Sequence, residues 1–152
     1  MEWMILPLKR YFDFQGRSRR LEFWMFALLN VIVFTVLSVI VFGTGATMSQ
    51  IEAADPNDLG AIYGSMFSGL CLLFIIWWLI ILIPSISVSV RRLHDRNMTG
   101  WWYLGFIVLS LIPLIGFVAS IAYIVVMALP GTPGPNKYGP SPKEGVTAET
   151  FE

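Results

Sequence analysis

The chain has 152 residues, of which 56% are hydrophobic and 13% charged, against about 45–50% apolar and ~25% charged in soluble domains. A water-soluble fold of this length needs a polar shell that this composition does not supply, so the expected solvent for most of its surface is lipid. Formal net charge is zero and the one cysteine is Cys71, which excludes an internal disulfide and a cysteine metal cluster and leaves Cys71 as a small apolar residue.

Residues 1–22 carry five basic side chains, Lys9, Arg10, Arg17, Arg19 and Arg20. A short helix around Trp3–Leu8 is expected to lie on the membrane surface, with Pro7 limiting it. The stretch Tyr11–Arg20 interleaves aromatics with arginines. Such a mix can bind nucleic acid. Beside a membrane span it is read more simply as an interface segment, with rings among the head groups and arginines on phosphates, and no nucleic-acid partner is assigned. Ser18 is read as the N-cap of the first span, and Glu22 falls in its first turn, where the helix dipole favours an acid.

Phe23–Phe42 is 20 residues without a charge, Phe67–Val90 is 24 and Trp101–Leu129 is 29. At 1.5 Å per residue, about 20 apolar residues cross a hydrocarbon core of ~30 Å. The runs are continuous rather than alternating, which selects helices over a barrel. The second run holds fifteen Leu, Ile, Phe or Val residues, each favouring insertion by ~0.3–0.6 kcal/mol near the helix centre. Pro84 and four serines offset part of that. The first run is too long for the ~7–15-residue apolar core of a signal peptide and is read as a retained span.

The third run is too long for one untilted crossing and too short for two, since two need about 40 residues. Pro113 and Gly116 fall near its middle. The expectation is one long span kinked there, with a hairpin of two short helices as the alternative. After it, Pro130–Pro142 is rich in Pro and Gly and cannot be helix or central strand, and 143–152 is read as a disordered tail.

Lys and Arg accumulate on the cytoplasmic side of membrane proteins. The segments 1–22, 43–66 and 91–100 carry five, none and three of them. This alternation places the N-terminus and the 91–100 loop inside and 43–66 outside. Trp24, Trp101 and Trp102, together with Arg17, Arg19 and Arg20, mark the interfaces. Gly60, Gly64 and Ser68 recur at a spacing that permits close helix approach.

The densest polar cluster is Arg91, Arg92, His94, Asp95 and Arg96. One reading is a functional site, since His94 titrates near neutral pH and Asp95 can orient a neighbour. The simpler reading is a helix end whose arginines set topology and meet anionic lipid. Neighbours on a helix point about 100° apart, so His94 and Asp95 form no direct dyad there, whereas Arg91 and Asp95 have pairing distance along the helix. Asn30, Thr35 and Ser38 are the polar residues of the first run, and no Asp, Glu, Lys, Arg or His lies inside any of the three runs. That argues against a pump or a proton-coupled transporter. The chain holds no hydrolase elbow, phosphate loop, zinc-protease helix or cysteine-pair motif. No catalytic, cofactor or metal residue is assigned.

Four segments in this order carry a resemblance: Phe14–Trp24, Arg92-Leu93-His94-Asp95 with Gly100-Trp101-Trp102, Ile112–Gly116, and Pro130–Pro140. The set resembles the small bacterial inner-membrane proteins of domain-of-unknown-function family 805. The resemblance implies a multi-pass protein of the bacterial cytoplasmic membrane and supplies no activity. This chain has Ser141 where members often carry an acid.

The resulting expectation is an all-α, polytopic transmembrane protein. One membrane-embedded domain covers 1–142, with spans at about 23–42, 67–90 and 101–129. It is expected to be non-enzymatic and to act by helix packing, lipid contact or partner binding. Its expected partners are anionic lipid head groups and a second copy or another membrane protein. The rival expectations are a transport component for a small solute or ion, and an enzyme acting on lipid head groups through His94 and Asp95.

Overall fold

The computed structural model describes residues 2–43 and 72–142, with positions 49, 52, 53 and 60. Among the described residues lie five helices: α1 Glu2–Lys9, α2 Arg20–Gly43, α3 Leu72–Asp95, α4 Trp101–Ser110 and α5 Ile115–Ala128. The tail 143–152, Cys71, most of the 43–66 loop and all but Gly60 of the Gly60-Gly64-Ser68 spacing lie outside the described residues.

The chain divides into two compact units, Met1–Ala27 with Ile83–Glu152 and, separately, Leu28–Leu82. In the second, the α2 and α3 segments meet through the Phe34 and Phe74 rings, stacked with centroids 6.1 Å apart. The hydroxyls of this α2 segment turn back on their own helix: Thr35 donates to the Val31 carbonyl at 2.8 Å and Ser38 to that of Phe34 at 2.7 Å. An apolar helix can thereby carry them without leaving a donor unmatched.

α2 and α3 are each long and apolar enough to cross a membrane. α3 passes through Pro84 without ending. It also runs beyond the apolar stretch, so that Arg91–Asp95, counted above with the 91–100 loop and in the simpler reading as a helix end, form its last turn. α3 ends in a Schellman arrangement. Asn97 adopts φ +59, its N–H reaches the His94 carbonyl at 2.9 Å, and the Met98 N–H reaches that of Leu93 at 3.0 Å.

The third run departs from the expectation of one kinked span. It is two helices, packed on each other and joined by residues 111–114. Tyr103 and Phe106 both face Tyr123, while Gly116 sits against the Ser110 carbonyl, so the helices run antiparallel. Two features turn a kink into a reversal. Leu114 takes φ +66, and Gly116 has no Cβ to strike the Ser110 backbone. With 10 and 14 residues, α4 and α5 measure about 15 and 21 Å, short of the ~30 Å hydrocarbon core. Gly100 precedes α4 with no side-chain cap, and Thr99 contributes its carbonyl to the Trp102 N–H at 3.1 Å.

Polarity in the first unit is inverted relative to a water-soluble protein. Arg91 and Arg92 are 0% exposed, whereas Trp101 is 77%, Phe117 73% and Leu114 88% exposed.

Candidate functional site

The site grows from the turn that leads into α2. Gly16 adopts φ +77, a conformation glycine takes at little cost, and the Ser18 N–H then bonds the Arg91 carbonyl at 3.1 Å. This aims Arg17 inward. Its Nε donates to Asp95 Oδ1 at 2.9 Å, Nη1 to the Gly134 carbonyl at 2.6 Å and Nη2 to the Thr132 carbonyl at 2.6 Å. Expected at the lipid interface, Arg17 is buried.

The other oxygen of Asp95 accepts from Arg92. Arg92 also donates to the Met127 carbonyl at 3.2 Å and to that of Leu129, while Arg20 reaches the Ala128 carbonyl at 3.3 Å. These are end carbonyls of α5, which have no partner within their own helix. Cations there also suit the negative end of the helix dipole. The tail is tied to the same point. Thr132 donates its N–H to the Asp95 carbonyl at 2.8 Å, and Asn136 Nδ2 donates to that of His94 at 3.0 Å. Gly131 approaches so closely that a Cβ there would overlap the Asp95 carboxylate. Tyr138 stacks on the His94 ring at 3.8 Å and 6°, and His94 Nδ1 lies 3.3 Å from the Gly16 carbonyl.

A second buried pair stands beside the first. Arg91 Nη2 is 2.8 Å from Glu22 Oε1, and Ser18 Oγ donates to Glu22 Oε2 at 2.8 Å. Ser18 stands two residues ahead of α2, so its hydroxyl holds this carboxylate rather than capping the helix. The Arg91–Glu22 contact is an ion pair by distance and not an aligned hydrogen bond; Arg91 Nε and Nη1 have no hydrogen-bond partner among the described residues. Burial of this kind makes each cation depend on its carboxylate, since removal of one member leaves a charge with neither water nor partner.

Of the five residues in the cluster read from the sequence, the structure brings Arg92 and Asp95 into one network with Arg17 and the tail. Arg91 pairs with Glu22 instead of Asp95, because the three-residue spacing of Arg92 meets that carboxylate first. His94 faces Tyr138 and the Gly16 carbonyl, away from an Asp95 whose two oxygens are both occupied. Arg96 stays at the edge, 3.4 Å from the Pro130 carbonyl. Arg19 lies over the Trp3 ring at 5.4 Å and donates Nε to the Pro142 carbonyl at 2.6 Å. Trp24, Trp101 and Trp102 are exposed. The partners that sequence reasoning missed are Glu22, Gly131, Thr132, Asn136 and Tyr138. Glu22 was visible only as a helix-start acid, and the other four only as residues of a turn-rich tail.

Among the described residues, no three His, Cys, Asp or Glu side chains stand close enough to share a metal ion. The arrangement welds three stretches of chain together around arginines whose acceptors are carboxylates and carbonyls.

Residues 11–140 match the family described as "Protein of unknown function (DUF805)". The chain is 38% identical to the Escherichia coli (strain K12) protein named "Inner membrane protein YhaH", over 94% of this chain and 98% of that one. It is 34% identical to "Inner membrane protein YhaI" of the same strain, over 95% and 98%. It is 27% identical to "Uncharacterized protein YiiR", over 84% of each chain. No solved structure matches. The chain belongs to the DUF805 family.

Proposed function

We propose that this DUF805 protein is a non-enzymatic, multi-pass protein of the bacterial cytoplasmic membrane that works through lipid contact and helix packing. The observation that carries the reading is the inverted polarity: fully buried Arg91 and Arg92 beside an exposed surface of Leu, Ile, Phe and Trp. Water would strip such a surface into aggregates, whereas lipid tails solvate it. The names of the YhaH and YhaI relatives support the inner membrane as its place.

In this reading α2 and α3 are the two crossings. The α4–α5 hairpin enters from the cytoplasmic side and returns, because neither arm has the length to cross. The tail that follows is bonded to Arg17, His94 and Asp95. It therefore shares a side with residues 1–20 and 91–100, the basic segments that the positive-inside rule places in the cytoplasm. Arg19, Arg20 and Arg96 then stand at the level of anionic head groups.

A topology reporter fused after Pro142 tests this arrangement. A cytoplasmic signal, matching one at the N-terminus, is the expected result; a periplasmic signal rejects the hairpin. Reconstitution into phosphatidylglycerol and phosphatidylcholine vesicles tests the lipid role. Absence of lipid preference, self-association and any co-purifying membrane partner would remove the functional reading.

A further inference from the structure

We propose that the cavity between the start of α2 and the tail binds a phosphate group. It measures about 330 Å³ and is lined by Arg17, Arg19, Arg20, Asp95, Thr132 and Gly134, among others. Three guanidinium groups thus face one carboxylate. That carboxylate is already matched, with Oδ1 on Arg17 and Oδ2 on Arg92. The cavity is left with an excess of positive charge that no acidic side chain among its described lining residues balances.

The three arginines divide the work. Arg17 spends its nitrogens on Asp95, Thr132 and Gly134 and contributes field rather than a donor. Arg19 uses Nε on the Pro142 carbonyl, with its guanidinium held over Trp3, and neither Nη has a hydrogen bond among the described residues. Among the described residues Arg20 uses only Nη1, in a 3.3 Å contact. The remaining nitrogens can present a planar fork of the kind that grips phosphate through paired N–H bonds. A volume near the low end of small-molecule sites, about 300–1,000 Å³, admits a phosphate and excludes the body of a phospholipid.

Position argues for the source. Arg20 opens α2, the uncharged run starts at Phe23, and Trp24 is exposed one residue later. In a bilayer this is the depth of the phosphate plane. Two molecules carry the group there, a phospholipid head group and free phosphate. The inference deepens the lipid-contact reading and rests on it for the choice of the head group.

The test is calorimetric titration of the full chain in neutral detergent with short-chain phosphatidylglycerol, the corresponding diacylglycerol and inorganic phosphate. The expected result is saturable binding of the phospholipid, none of the diacylglycerol, competition by inorganic phosphate with at least about tenfold weaker affinity, and a loss of about tenfold or more in Arg19→Gln/Arg20→Gln. Should the double variant not fold, Arg20→Gln alone, at an exposed side chain, is read in its place, with a threefold loss or more expected. Wild-type affinity in a folded variant overturns the phosphate site and leaves the lipid-contact reading intact. Inorganic phosphate binding as tightly as the lipid upholds the site and rejects the head group as its source. Equal binding of phospholipid and diacylglycerol overturns the site and the anionic-lipid reading together.

Discussion

Arg17 and Asp95 are 78 positions apart in the chain and joined by a 2.9 Å bond from Nε to Oδ1. Arg92, three residues before Asp95, takes the other oxygen, so two buried guanidinium groups share one carboxylate. The bond fixes the chain that enters α2 against the end of α3, and Arg17 carries the tail with it through Thr132 and Gly134.

Asp95→Ala is therefore expected to be among the most damaging single changes in the molecule. It leaves Arg17 and Arg92 buried without their shared anion, a loss of about 3–5 kcal/mol for a broken buried pair. Thermal unfolding in detergent reads it. His94→Ala is the comparison, since it removes a ring stack worth about 0.5–1.5 kcal/mol and no charge partner. A midpoint for Asp95→Ala at or above that of His94→Ala would contradict the assignment of Asp95 as the common counter-ion.

Two glycines of the tail separate close approach from backbone freedom. A Cβ at Gly131 overlaps the Asp95 carboxylate, while one at Gly134 meets nothing within 4 Å. Gly134 nevertheless has φ +68, which costs an alanine about 1 kcal/mol. Gly131→Ala should lower the unfolding midpoint further than Gly134→Ala and raise protease access to the tail. The reverse order would mean that the tail does not pack against Asp95.

The Arg91–Glu22 pair makes a different prediction, because both members are buried and can be removed together. Glu22→Leu and Arg91→Met should each destabilise by several kcal/mol, and the double variant should recover most of the loss, as apolar replacement of a whole buried pair often does. The double-mutant cycle is measured by chemical unfolding in detergent. A coupling below about 0.5 kcal/mol, the level of independent sites, would show that the two side chains do not depend on each other.

These pairs explain what was legible in the sequence. The apolar runs at α2 and α3 could be read directly, because a charge-free stretch of bilayer length has few other uses. The chemistry at their ends could not. Seen along the chain, Arg91, Arg92 and Arg96 differ little, yet two are buried and one lies at the edge. What separates them is Glu22, more than sixty residues before Arg91, and the Met127 and Leu129 carbonyls, more than thirty residues after Arg92, and spacing along one helix carries no information at those distances. The tail shows the same limit: Pro130–Pro142 advertises turns, while its bonds to Asp95 and His94 end on backbone carbonyls, which every sequence has.

The third run offers the sharpest test, since Pro113 and Gly116 are compatible with a kink and with a reversal. In the observed hairpin Leu114 has φ +66, which strains a side chain with a Cβ by about 1–2 kcal/mol, and Gly116 lies where a Cβ would meet the Ser110 carbonyl. The two positions should thus respond with opposite signs. Leu114→Gly relieves the strained backbone at an 88% exposed side chain and should be neutral or stabilising. Gly116→Ala should destabilise by pushing α5 away from α4. A single kinked helix demands the other order, because glycine disfavours a continuous helix by about 1 kcal/mol relative to alanine. Thermal unfolding of the two variants side by side distinguishes the geometries, and a stabilising Gly116→Ala paired with a destabilising Leu114→Gly would reject the hairpin.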